Sequence, residues 1–211
     1  MSRNKIFRRD FGSGPDVERI TFFSDAVFAI AMTLLAVEIE VPNVQDQELA
    51  PAVAEQLPQF LAYVLSFVVT GELWLSHHRM FRVLRGFTPG LQRLNLLLLL
   101  FVAVIGYATD MLAFYGDTGL GVAIYAGVLG IIGAVDSLMW LYCSRRGLFD
   151  ERYDAKLLST SWLHAGIGPV VFLLSIPIAF LSPDAAKFSW LAILAINLPL
   201  GFRGRRPVAD A

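Results

Sequence analysis

Six long apolar segments constrain this chain more than any other feature of its sequence. A helix rises 1.5 Å per residue, so about 20 apolar residues cross the roughly 30 Å hydrocarbon core of a bilayer. The runs are continuous rather than alternating, and lipid requires backbone groups to pair within the segment, so we expect helices and not barrel strands. The segments cover residues 21–41, 59–75 (extending as far as 85), 91–114, 119–142, 162–181 and 185–202.

The composition agrees with a membrane protein and excludes a soluble domain. Hydrophobic residues make up 56% of the 211 residues and charged residues only 17%, whereas about 25% of an ordinary soluble domain is charged. The mean hydropathy is +0.60. The sequence therefore predicts an all-α integral membrane protein in which residues 1–211 form a single domain of six transmembrane helices, with a multi-pass location in the cell membrane.

The distribution of basic residues predicts the orientation. If the six segments alternate across the membrane, sixteen of the seventeen Lys and Arg residues fall on one side, and only Lys187 falls on the other. Basic residues accumulate on the cytoplasmic side of membrane proteins. We therefore expect both termini to be cytoplasmic and the acidic loop at residues 41–58 to face outward.

Polar residues inside membrane segments are costly and usually have a structural or functional role. The first segment has the largest set, and the next three carry the others. They are Arg19, Ser24, Asp25, Thr33, Glu38 and Glu40 in or beside the first segment, Glu72, Trp74, His77 and His78 in the second, Asn95 and Asp110 in the third, and Asp136 in the fourth.

The first helix has two different faces. Ile30, Leu34 and Val37 follow helical spacing and form one apolar stripe, while Asp25 lies about 140° away around the helix from Ile30. The polar end can therefore pack into the subunit while the stripe faces lipid, another helix or a pore. Asp25 itself is expected to act structurally, as an intramembrane cap or as an ion-pair partner of Arg19.

Several classes of function lack their motifs in this sequence. There is no phosphate-binding loop, no nucleophile elbow and no selectivity-filter sequence, and adjacent His77 and His78 do not share a helix face as paired zinc ligands do. We expect no enzymatic activity, no cofactor, no tightly bound metal and no nucleic-acid partner.

The first half of the chain contains a recognisable motif. Arg19-Ile-Thr-Phe-Phe-Ser24-Asp25 and the Ala-Val-Phe-Ala-Ile-Ala-Met-Thr-Leu-Leu that follows resemble the Arg-x-x-x-Phe-Ser-Asp signature of the endolysosomal potassium channel family, in its short prokaryotic form. The Trp74-x-x-His77 pattern and the Leu-Asn95-Leu tripeptide are also similar to that family's second and third helices. The second half matches only in its expected number of helices.

The resemblance implies a homotetramer whose first helices, at about residues 19–41, surround a central pore. It implies that Ile30 forms the narrowest ring and that Leu34 and Val37 form the next two layers, although leucine is usual at the third layer. It also implies that a polar network braces the pore helix from behind. Its members here would be Arg19, Ser24, Asp25, Trp74, His77 and Asn95.

These features predict a potassium-preferring cation channel with a hydrophobic constriction. Permeating potassium would pass near Ile30 and the hydroxyl of Thr33. Glu38 and Glu40 would either form an acidic outer mouth or simply be solvated at the helix end. The alternatives are a proton-coupled transporter or proton pathway using Asp25, Glu72, His77 and Asp136, a membrane enzyme using His77 and Asp110, and a scaffold without flux.

Overall fold

The structure is a computed structural model that describes residues 14–150, 155–191 and 193, with side chains from 17–150, 166–191 and 193. Apart from one isolated β-bridge, the regular structure in these ranges is helical. The helices are α1 (Gly14–Val37), α2 (Asp46–Glu55), α3 (Leu57–Arg82), α4 (Pro89–Val102), α5 (Ile105–Tyr115), α6 (Gly119–Arg146), α7 (Ala155–Leu181) and α8 (Pro183–Ser189). The all-α fold class is therefore confirmed.

Four stretches of the described chain are long and apolar enough to cross a membrane. They are Val17–Val37, Leu57–Arg82, Pro89–Tyr115 and Gly119–Arg146, and they correspond to the first four predicted segments. The apolar part of α7, Gly166–Leu181, lies in the fifth predicted segment. Most of the sixth predicted segment lies outside the described residues, so six crossings and the cytoplasmic position of the termini remain predictions.

The first helix ends four residues earlier than predicted. It stops at Val37 rather than at residue 41, so Glu38 and Glu40 lie beyond the helix end. Val41 precedes Pro42, and a residue before proline is disfavoured in the helical conformation. The Gln56 side-chain amide donates to the Glu40 carbonyl over 2.6 Å, which satisfies a backbone acceptor just past the helix.

The third predicted segment is interrupted at Ala103 and Val104, so it forms α4 and α5 instead of one continuous helix. The Val104 N–H bonds to the Phe101 carbonyl three residues back, a tighter turn than the α-helix has. Val102, Val104 and Ile105 surround the break, and such β-branched side chains lose freedom against the preceding helical turn. The loop predicted at residues 41–58 contains the short helix α2, which has no buried residue.

Small residues let α6 and α7 pack closely along their length. A Cβ atom on Gly130 would lie 2.7 Å from Leu173 Cδ2, and one on Gly133 would lie 3.0 Å from Pro169 Cβ and Cδ. Close approach of this kind is typical of helix pairs in membranes, where lipid provides little driving force for helix association. On the other side of the bundle α1 packs against α3, α4 and α5.

The close contact between α6 and α7 predicts that substitution of Gly133 destabilises the protein more than substitution of Gly127. Gly133→Leu should lower the free energy of unfolding by about 1–3 kcal/mol, because the new side chain overfills the space occupied by Pro169. Gly127→Leu is the matched control, since a Cβ there meets nothing within 4 Å. The measurement is unfolding of the purified protein in mixed micelles. Equal stability of the two variants would contradict this packing.

Candidate functional site

A buried chain of hydrogen bonds connects α1 to α3 and α4. His77 Nε2 lies 2.8 Å from Asn95 Oδ1, and Asn95 Nδ2 donates to Ser24 Oγ over 2.9 Å. The Ser24 hydroxyl donates in turn to the Ile20 carbonyl over 2.9 Å. Donors and acceptors match along the whole chain if His77 carries its proton on Nε2, because the Asn95 oxygen then accepts and its amide nitrogen donates.

The His77 ring is enclosed by aromatic side chains. It stacks on Phe81 with ring centroids 4.4 Å apart, and Phe28 of α1 lies 5.6 Å away on centroids. His77, Asn95, Ser24 and Phe28 are all buried. In such a site an unpaired polar group is costly, so the chain of hydrogen bonds fixes the position of α1 as well as joining the helices.

Asp25 makes a second link between α1 and α3, next to the first. Its Oδ1 accepts a hydrogen bond from Trp74 Nε1 over 2.8 Å, and its Oδ2 lies 3.5 Å from His78 Nδ1. The Trp74 and His78 rings lie 5.4 Å apart on centroids. Both carboxylate oxygens therefore point towards α3.

Arg19 is separate from these links, unlike the other five residues predicted to form the polar network. It is exposed, and within the described part of the chain no side chain pairs with it. Six residues separate Arg19 from Asp25, which is about 240° around a helix. Arg19 therefore lies on the same side of α1 as Ile30 and Val37.

The opposite face of α1 has no covering side chains within the described protomer. Ile30 is 58% exposed, Leu34 50% and Val37 73%, whereas Phe28 and Leu35 on the packed face are each 1% exposed. Thr33 is also exposed, and its hydroxyl donates to the Ile30 carbonyl over 2.9 Å. One side of α1 is thus fixed in the bundle, and the other presents an apolar stripe with one hydroxyl oxygen.

The residues predicted for the outer mouth lie at the other end of α1. Glu38 and Glu40 are both exposed, and the Glu38 carboxyl lies near that of Asp110 on α5. Lys187 on α8 is paired with Asp184 at 2.8 Å. In the described residues no group of three or more His, Cys, Asp or Glu side chains is arranged to hold a metal ion.

Two other buried polar links in the structure were not predicted from the sequence. Thr109 Oγ1 lies 2.8 Å from Ser66 Oγ, which is 3.2 Å from the Tyr125 hydroxyl. Ser76 donates to Asp136 Oδ2 over 2.8 Å. Ser66 and His77 share a face of α3 because eleven residues are close to three helical turns, so helical spacing could have suggested a polar face on this helix.

Comparison with known proteins gives one consistent relationship. A family model described as endosomal/lysosomal potassium channel TMEM175 matches residues 19–105. A potassium channel of Streptomyces collinus is 35% identical over 170 residues, which cover 78% of this chain and 82% of that protein. A Bos taurus endosomal/lysosomal proton channel TMEM175 is 38% identical over 107 residues, but these cover only 22% of its length.

The fold is also similar to a solved structure. The crystal structure of a lysosomal potassium-selective channel TMEM175 homolog from Chamaesiphon minutus has a TM-score of 0.74 and 27% identity, covering 91% of this chain and all of that one. The family and the matched relatives are described as ion channels, so the expectation that the chain is not an enzyme is confirmed.

The role of Asn95 predicts a stability effect. Asn95→Leu should lower the free energy of unfolding by about 1–3 kcal/mol, because it leaves His77 Nε2 without a partner and the buried Ser24 oxygen without its donor. Gln92→Leu is the control, since Gln92 is an exposed amide one turn away on the same helix. Unfolding in mixed micelles measures both. If Asn95→Leu lowered the free energy of unfolding no more than Gln92→Leu, the hydrogen bonds of Asn95 would contribute little to stability.

Proposed function

The chain belongs to the TMEM175 family, and on that premise we propose that it works as a potassium-conducting channel of the membrane with its pore on α1. The observation that carries the proposal is the division of α1 into two faces. Buried polar links hold one face against α3 and α4, and the other leaves Ile30, Leu34 and Val37 exposed. The described residues of one protomer leave that stripe uncovered, so the proposed channel needs several copies of α1 around one axis. The family resemblance implies a homotetramer, with four copies.

The stripe has the chemistry of a hydrophobic constriction. Four Ile30 side chains would form an apolar ring where the water column breaks easily, and Leu34 and Val37 would form further rings outward. Such constrictions control conduction by dewetting. Apolar side chains do not replace an ion's hydration shell, so selectivity for potassium over sodium should be modest.

Thr33 supplies a polar atom close to the proposed ring. Its hydroxyl hydrogen is used in the bond to the Ile30 carbonyl, which leaves the lone pairs of the oxygen available. A hydroxyl oxygen accepts from donors and ligates cations. We therefore assign to Thr33 a weak contact for a permeating potassium ion beside Ile30.

The outer end would favour cations through its charge. Glu38 and Glu40 lie just past α1, and α2 adds Asp46, Glu48 and Glu55. Clefts lined by one sign of charge raise the local concentration of counter-ions. Lys187 would weaken this field little, because it is paired with Asp184.

A proton pathway is the second candidate. It is supported by buried Asp136, whose Oδ1 has no hydrogen-bond partner, and by the description of mammalian relatives as proton channels. Asp136 lies on α6, away from the α1 stripe. If the protein carries protons through its protomers, Asp136→Asn would abolish proton flux and leave potassium flux unchanged.

The constriction predicts the effect of a polar substitution at Ile30. Ile30→Asn should increase potassium flux into reconstituted vesicles severalfold and reduce ion discrimination, because an amide keeps the ring hydrated. Leu100→Asn on α4 is the matched control, as Leu100 is 60% exposed and Ile30 58%. Flux would be recorded with a potassium-sensitive dye. Unchanged flux and selectivity in Ile30→Asn would mean that Ile30 does not line the path.

The link at Asp25 predicts a defect in assembly rather than in selectivity. Asp25→Ala removes the acceptor for Trp74 and should reduce the yield of tetramer, whereas Asp25→Asn keeps a carbonyl oxygen for that bond and should assemble. Size-exclusion chromatography with light scattering measures the assembled fraction. A fully assembled Asp25→Ala tetramer with altered selectivity alone would be inconsistent with a bracing role.

A further inference from the structure

One end of the bundle carries exposed arginines on three different helices. They lie in the last turns of α3 and α6 and near the start of α4. They are Arg79, Arg82, Arg93, Arg145 and Arg146. Each lies within about one turn of the end of a membrane-crossing helix, which is the depth of the lipid headgroups. We call this end of the molecule the basic end.

Paired backbone segments hold the basic end in a defined shape. The connections after α3 and after α6 meet in the isolated bridge between Leu84 and Phe149. The Arg85 N–H donates to the Leu148 carbonyl over 3.0 Å, and the Asp150 N–H donates to the Val83 carbonyl over 2.9 Å. The ends of α3 and α6 are therefore fixed relative to each other.

Tyr142 brings the end of α6 next to the start of α4. Its hydroxyl is 2.9 Å from Thr88 Oγ1, the cap of α4. Gly90 lies so close to the Tyr142 ring that a Cβ atom at this position would collide with it. The Arg146 guanidinium sits over the Tyr142 ring, 5.6 Å from the centroid. The cation–π contact orients Arg146 beside the first turn of α4.

Helices α4 and α6 each carry an exposed apolar stripe next to their arginines, on the side away from the basic end. On α4, Leu96, Leu97 and Leu100 follow Arg93 at three, four and seven residues and are 51%, 41% and 60% exposed. On α6, Ile131 and Leu138 share a face with Tyr142 and are exposed. Residues at these spacings lie on one side of a helix. The two stripes flank the contact between Gly90 and Tyr142.

We propose that this surface between α4 and α6 binds an anionic phospholipid. Arg93 and Arg146 contact the headgroup phosphate, and the acyl chains lie along the leucine stripe of α4 and beside Leu138. The order of the groups matches that of a lipid, with cations at headgroup depth and apolar side chains below them. Guanidinium groups suit phosphate because their planar donors bind two oxygens together. An apolar face without cations would not distinguish one lipid from another.

Spin-labelled lipids test the proposal on the full-length protein in phosphatidylcholine vesicles. Electron spin resonance gives the association of labelled phosphatidylglycerol relative to labelled phosphatidylcholine. We expect the wild-type protein to prefer phosphatidylglycerol. Arg93→Gln and Arg146→Gln should each reduce the preference about fivefold, and the double variant about thirtyfold, because each removes one direct hydrogen-bonded contact with the phosphate.

Two controls separate a defined site from general attraction. Arg82→Gln removes an exposed charge from the same end but from α3, and Lys187→Gln removes a half-buried charge from α8. Both variants should keep the wild-type preference for phosphatidylglycerol.

Three outcomes would contradict the proposal. The site between α4 and α6 would be overturned if Arg82→Gln reduced the preference as much as Arg93→Gln, or if the wild-type protein showed no preference. Loss of the preference in inorganic phosphate, at matched ionic strength, would show a simple anion site and overturn the lipid assignment. None of these readouts depends on ion conduction.

Discussion

The Asn95 side chain makes the interaction on which the position of α1 depends. A carboxamide has an acceptor oxygen and a donor nitrogen. The Asn95 oxygen accepts from His77, and its nitrogen donates to Ser24. Three helices are joined by one side chain in a buried place where water cannot substitute for a lost partner. Such a directional contact has few alternatives of similar energy, whereas an apolar contact in a membrane has many.

Packing elsewhere in the bundle supports this arrangement by different means. The α6–α7 pair relies on glycines and a proline that allow close approach, so it needs few polar contacts. The C-terminal end of α1 is held by the bond from Gln56 to the Glu40 carbonyl just beyond it. The bundle therefore combines a closely packed pair on one side with a hydrogen-bonded helix on the other, and the exposed stripe belongs to the hydrogen-bonded helix.

The sequence predicted the helical spans better than the contacts between them. Continuous apolar runs fix the approximate spans, since hydrocarbon thickness sets their length. The motif indicated Ser24, Asp25, Trp74, His77 and Asn95, which the structure brings together in two adjoining links. It did not show that Arg19 lies elsewhere, but helical spacing could have done so, because six positions put Arg19 about 240° around α1 from Asp25. The pairs Ser66–Thr109 and Ser76–Asp136 depend on the packing of distant helices.

The rotation of α1 follows from its polar residues rather than from its apolar ones. Lipid and a helix surface are similar environments for Ile, Leu or Val, so burial of these residues alone would allow several rotations of the helix. A change of 100°, equal to one residue, would move Ser24 and Asp25 away from Asn95 and Trp74. The Asp25 carboxylate and the Asn95 amide would then lose these partners in an apolar medium, at a cost of several kcal/mol. The two polar residues therefore select one rotation. That rotation is the one that turns Ile30, Leu34 and Val37 away from the protomer, so the exposed stripe is a consequence of the hydrogen bonds on the opposite face.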